Sequence, residues 1–195
     1  RRRGLVRVIG VDGVDVRDYA LDSLRSQIGY VPQDVFLFSD TIRGNIAFGI
    51  DRATDEQIRQ AAQDADVLAN IEAFPEGFET KVGERGITLS GGQKQRVSIA
   101  RALIKEPRIL ILDDSLSAVD TRTEHTILEN MRRVMRGRTS LIISHRVSAV
   151  RLADHILVLD DGRVVQQGTH AALMQQETGV YRALYERQLQ AEPEG

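Results

Sequence analysis

The sequence has no cysteine, which excludes a disulfide framework and thiol chemistry and fits a reducing compartment. It has no apolar run near the roughly 18 residues that a membrane-spanning helix needs, so work at a membrane would require a separate anchor. It has no excess of one charge: 26 basic residues against 28 acidic give a net charge of -2, too little to favour nucleic acid or an anionic lipid surface. It shows no internal repeat and no low-complexity linker. Arg1-Arg2-Arg3-Gly4 is basic, but the apolar stretch of a signal peptide does not follow. The first residue is not methionine, so the sequence is expected to begin inside a longer protein. What is present is 195 residues with 42% hydrophobic and 28% charged content, enough for one globular domain with a sizeable core and too little for two ordinary ones.

Three segments read as strands buried on both faces: Ile28-Gly29-Tyr30-Val31, Ile109-Leu110-Ile111-Leu112 and Ser140-Leu141-Ile142-Ile143-Ser144. Continuous apolar runs separated by helical patterns predict parallel strands with helices packed on the sheet. Ile156–Leu159 and Arg163–Val165 flank Asp161-Gly162, a two-residue hairpin signal. From Gly92 to Lys105, Val97, Ala100, Leu103 and Ile104 fall on one helical face, with Ser90 as the N-cap. Ile127, Met131 and Val134 form the stripe of a helix from Thr121 to Met135 that Gly137 closes. Asp55 to Asp66 reads as an amphipathic helix, and Thr169 to Gln190 as two short helices around Gly179. The region from about 37 to 104 is mostly helical and lies between strand-bearing regions. The expectation is one domain, 1–195, with an α/β core and a helical insertion.

Leu89-Ser90-Gly91-Gly92-Gln93 opens a helix. The unpaired N–H groups and positive dipole end of a helix N-terminus bind phosphate oxygens, and glycines let the backbone come close. Ile109-Leu110-Ile111-Leu112-Asp113-Asp114 puts acidic residues at the end of a buried strand, where open α/β sheets bind ligands and a carboxylate can hold Mg²⁺. Ser117-Ala118-Val119-Asp120 follows, then a strand ending in Ser144-His145-Arg146; Val31-Pro32-Gln33-Asp34 lies upstream.

This set, in this order, resembles the ATP-binding domain of ATP-binding-cassette (ABC) transporters over nearly the whole chain. The resemblance implies a parallel-sheet P-loop NTPase core, incomplete at its N-terminus, with a helical subdomain. In the family's terms Gln33 matches the Q-loop glutamine, Ser90, Gly91, Gly92 and Gln93 the signature motif, Asp113 the Walker B aspartate, Asp120 the D-loop and His145 the switch histidine. Thr80–Gly86 and Phe36–Ile42 resemble segments of the exporter type. The resemblance further implies ATP and Mg²⁺ as cofactors, with Asp113 and Gln33 at the metal and Asp114, Gln33 and His145 in catalysis. The implied partners are a second nucleotide-binding domain, whose nucleotide this signature motif would serve, and a transmembrane domain holding the chain at the cytoplasmic face of the membrane. No nucleic-acid partner is implied.

Two departures from the family qualify that picture. No segment fits the Walker A pattern G-x-x-x-x-G-K-[ST], so these residues alone are expected to bind ATP poorly. Asp114 stands where hydrolytic members carry glutamate; a carboxylate drawn back by one methylene predicts weak hydrolysis and suits the degenerate-site half of a heterodimer. The alternatives are a non-hydrolysing regulatory partner domain and a soluble ABC ATPase acting on DNA or ribosomes. The latter kind usually carries long insertions, and none is visible here.

Overall fold

The computed structural model describes residues 9–83, 86–115 and 121–191. Strands β1 (Gly10–Val11) and β2 (Val14–Asp15) form a small antiparallel pair, followed by α1 (Leu21–Ser26) and β3 (Ile28–Val31). Helices α2 (Ile42–Ile46), α3 (Asp55–Asp64), α4 (Leu68–Glu72) and α5 (Gly91–Leu103) come next. Then β4 (Ile109–Asp113), α6 (Thr121–Met135), β5 (Thr139–Ile143) and α7 (Val147–Val150) alternate. Strands β6 (Ile156–Asp160) and β7 (Arg163–Gly168), with helices α8 (His170–Met174) and α9 (Val180–Ala191), end the description.

The central sheet is parallel in the order β3-β4-β5, pairing Tyr30 with Ile111 and Ile111 with Leu141. Parallel strands place all their carboxyl ends along one edge. Residues 31–33, 113–114 and 143–145 therefore share that edge.

One face of this sheet is a packed core. Val31, Leu110 and Leu112 from the strands cluster with Val97, Ile99 and Ala100 of α5 and with Ile127, Leu128 and Met131 of α6. The other face corrects the expectation of strands buried on both sides: Tyr30, Leu141 and Ile143 are 53%, 54% and 48% exposed. An apolar run reports that a strand is hydrophobic; covering each face takes a separate layer, and among the described residues only one face has it.

Local chemistry explains the boundaries. Thr54 and Gln57 form a reciprocal capping box at the start of α3, as Ser90 and Gln93 do at the start of α5. Gly137 takes a left-handed φ of 73° after α6. The β6–β7 hairpin turns through Asp161 and Gly162, both at positive φ, and carries a register shift at Val158/Leu159. A second, smaller core of Val147, Ile156, Val158, Leu173 and Tyr181 joins α7, the hairpin, α8 and α9.

Candidate functional site

At the carboxyl edge of the sheet, Asp113 ends β4 and Asp114 follows it with a φ of 44°. Aspartate tolerates that left-handed conformation better than most residues, because its short polar side chain does not crowd the backbone. The Asp114 N–H donates to Ile143 C=O at 2.8 Å, which ties the acidic turn to β5. His145, two residues past Ile143, puts Nδ1 2.9 Å from Asp114 Oδ1. The two side chains differ in environment: Asp114 is 12% exposed and His145 68%. The imidazole is therefore set by its backbone and its carboxylate contact, since packing covers little of it.

Tyr30 Oη donates to Asp113 Oδ2 at 3.2 Å. Partial burial, and then this hydrogen bond, hold the phenol above its usual pKa, so it acts as a neutral donor. Gln33 follows β3 at the same edge and is exposed. The donor set fits Mg²⁺ in one way only. Among the described residues no group of three or more His, Cys, Asp or Glu side chains is placed to hold a metal alone. Mg²⁺ is ordinarily held by one or two carboxylates plus waters and phosphate oxygens, and Asp113 with Gln33 fits that shared arrangement.

A second constellation sits at the N-terminus of α5. Ser90 Oγ accepts from the Gln93 N–H at 3.2 Å, and the Gln93 side chain accepts from the Ser90 N–H at 3.0 Å. The first intrahelical bond runs from the Lys94 N–H to Ser90 C=O at 2.9 Å. The N–H groups of Gly91 and Gly92 precede it and have no place in the helical ladder. Ser90 and Gly91 are exposed, so this end presents donors and a positive dipole to the outside. Among the described residues no hydrogen bond or ion pair joins Ser90–Gln93 to Asp113, Asp114 or His145. Asp120 lies outside the described residues.

A third region joins the two segments of exporter type. The Ile42 N–H donates to Thr80 C=O and the Val82 N–H to Asp40 C=O, both at 2.9 Å, and the Ile87 N–H closes the loop onto Lys81 C=O. A Cβ at Gly86 would lie 2.2 Å from Lys81 O, so only glycine fits there. Phe38 meets Phe36 edge-to-face and Phe48 at a tilt beside this loop, with Phe36 66% and Phe48 51% exposed. Behind them Asn45, fully buried, makes four hydrogen bonds: it accepts from the Phe38 N–H and Arg101 Nη2 and donates to Phe38 C=O and Thr41 C=O. Arg101 of α5 also donates to Asn45 C=O and Phe36 C=O and lies over the Phe38 ring. Its burial lowers the guanidinium pKa from the usual value. The motif reading passes over Asn45, Arg101 and Tyr30. The legible signs were an asparagine inside a short helix and an arginine on an otherwise apolar helix face.

Acidic groups and a histidine lie at the carboxyl edge of a parallel sheet, where open α/β sheets bind ligands, and a glycine-bearing helix start lies elsewhere. The comparisons make this specific. The sequence profile described as "ABC transporter" matches residues 7–117, and the chain belongs to that family, with its P-loop NTPase fold. It is 52% identical over 180 residues to the probable multidrug resistance ABC transporter ATP-binding/permease protein YheI of Bacillus subtilis (strain 168), covering 92% of this chain and 31% of that protein. It is 47% identical over 180 residues to an ATP-dependent lipid A-core flippase of Desulfotalea psychrophila, with the same two coverages of 92% and 31%. Among solved structures, a bacterial Atm1-family ABC exporter with ATP bound superposes with a TM-score of 0.85 at 48% identity, over 91% of this chain and 31% of that one. The chain thus spans under a third of the length of these relatives. No helix among its described residues is long and apolar enough to cross a membrane.

Proposed function

We propose that this chain is part of the motor domain of an ABC exporter, in which ATP binding and hydrolysis at the carboxyl edge of the sheet drive a transmembrane domain. The observation that carries the reading is the shared edge itself: Gln33, Asp113, Asp114 and His145 lie at the carboxyl ends of three adjacent parallel strands, and His145 Nδ1 stands 2.9 Å from Asp114 Oδ1. Asp113 and Gln33 would hold Mg²⁺, which would neutralise phosphate charge, and His145 would contact the γ-phosphate. Ser90, Gly91, Gly92 and Gln93, on a separate helix, serve the nucleotide of a second nucleotide-binding domain.

The transmembrane domain docks at the cytoplasmic side on the exposed Phe36 and Phe48 rings and the Thr80–Gly86 loop. An open groove of about 380 Å³, lined by Phe36, Leu37, Val82, Ile87 and Lys94 among others, lies between the Phe36 segment and that loop. A mostly apolar lining with, among the described residues, a single cation, Lys94, suits the end of a membrane-domain helix better than a nucleic acid.

Asp114 makes this chain's own site the weak one of a heterodimer. Its carboxylate is one methylene short of the usual base and is already engaged by His145, and a displacement of about 1 Å costs on the order of a hundredfold in rate. The test is Asp114→Glu in the full-length transporter, with hydrolysis assigned to each site. A rise at this chain's site supports the reading; an Asp114 site that already hydrolyses as fast as its Glu variant refutes it. Residues 1–195 alone, with no Walker A pattern, are predicted to show no micromolar MgATP binding by calorimetry. Micromolar binding would require another phosphate cradle.

A further inference from the structure

Helix α9 presents a stripe toward the fold at spacings of four and three: Tyr181, Tyr185 and Gln188. The first two are apolar in body and pack in or against the smaller core. The third is polar because it meets backbone. Gln188 Nε2 donates to His145 C=O at 2.6 Å, and Gln188 Oε1 accepts from the Val147 N–H at 2.8 Å. A carboxamide spanning the C=O of one residue and the N–H of the second residue on pairs with the chain as a neighbouring strand would.

The two bonded groups flank the turn that carries His145. Val147 opens α7, so its N–H is a first-turn donor without a helical partner, and the cap residue Arg146 makes no side-chain capping bond to supply one. The Val147 side chain is anchored in the smaller core. On the other side, Ile143 C=O is held by the Asp114 N–H. The imidazole between them is mostly exposed, with Nδ1 2.9 Å from Asp114 Oδ1. Its aim therefore depends on the main chain at 144–147, where Ser144 Oγ takes the Arg146 N–H at 3.0 Å within the turn and Gln188 holds His145 C=O and the Val147 N–H from outside it.

We propose that Gln188 is a positioning residue for His145: α9 fixes the turn that points the imidazole at the nucleotide. This rests on the reading of His145 as the γ-phosphate contact. Truncating Gln188 should leave the adenine and the first two phosphates bound as before and weaken the discrimination of ATP from ADP.

The experiment uses the full-length transporter carrying His145→Ala, Gln188→Ala, or both, with Gln188→Met beside them to keep the side chain's length and packing. The probe is photolabelling of this subunit with 8-azido-ATP, competed by MgATP and by MgADP. His145→Ala should lower the ATP-over-ADP preference about tenfold, as loss of one charge-assisted hydrogen bond would. Gln188→Ala and Gln188→Met should lower it about threefold or more. In the His145→Ala background neither should lower it further, since residues acting through one group are not additive. A Gln188 variant that weakens ATP and ADP equally, or that adds its full loss on top of His145→Ala, overturns the proposal. An unchanged preference in His145→Ala would instead remove the reading on which it rests.

Discussion

Asn45→Ala tests whether the hub behind the exposed phenylalanines holds the α2 region to α5. The asparagine uses its full hydrogen-bonding capacity: Oδ1 takes the Phe38 N–H at 2.8 Å and Arg101 Nη2 at 2.7 Å, and Nδ2 gives to Phe38 C=O and Thr41 C=O at 3.0 Å each. Alanine removes all four. Arg101 keeps its bonds to the backbone carbonyls of residue 45 and Phe36, so its charge is not stranded. The loss is then four neutral or charge-assisted bonds at about 1 kcal/mol each, or roughly 3–5 kcal/mol with the unpaired Phe38 groups counted. For a domain of this size each kcal/mol moves Tm by about 2–4 °C, so the variant should melt roughly 10 °C lower. The assay is thermal and urea denaturation followed by circular dichroism, with Arg101→Met and the double variant completing a cycle. A loss below about 1 kcal/mol, or strict additivity with Arg101→Met, would refute the claim that the two side chains form one unit.

Three further outcomes follow from other sites. Ser90→Ala should cost about 1 kcal/mol of stability by removing the α5 cap, whereas Ser90→Asp should keep the cap and repel phosphate, so melting and nucleotide-dependent dimerisation separate the two roles. Gly86→Ala should open the 80–87 loop at a cost of about 1–3 kcal/mol, because its Cβ would stand 2.2 Å from Lys81 O; limited proteolysis at that loop reads the effect. Burial holds the Tyr181 hydroxyl above its usual pKa, so the folded chain keeps it neutral where the unfolded chain ionises near pH ~10. Its stabilising contribution is complete below that pH and is lost as pH rises through the folded value. Tyr181→Phe should flatten the alkaline fall in stability, and an unchanged slope would contradict the assignment.

Elements governed by nearby residues were legible in the sequence. The stripe of Ile127, Met131 and Val134 with Gly137 behind it marks α6 from Thr121 to Met135, and Asp161-Gly162 marks the hairpin. The edge residues Gln33, Asp113, Asp114 and His145 were also readable, because each follows an apolar run that could be recognised alone. Ser90-x-x-Gln93 carried a capping box that a reading of Ser90 as a simple cap passes over. What could not be read depends on distant partners. Asn45 and Arg101 are 56 residues apart, and Gln188 meets His145 across 43. No periodicity encodes such pairs. The exposure of Leu141 and Ile143 escaped for the same reason, since whether a strand face is covered depends on a layer elsewhere in the chain.

That uncovered face governs how these residues behave in a test tube. Tyr30, Ile111 and Leu141 lie in one row across the three strands, with Ile143 beyond, a hydrophobic strip on a rigid support. Handled by themselves, residues 1–195 should stick to one another and to surfaces as concentration rises. A near-neutral net charge of -2 supplies little electrostatic repulsion to keep the particles apart. Light scattering against dilution, with and without a mild detergent, is therefore a colloidal measurement of the sheet itself. Any binding result obtained on these residues alone has to be judged against it.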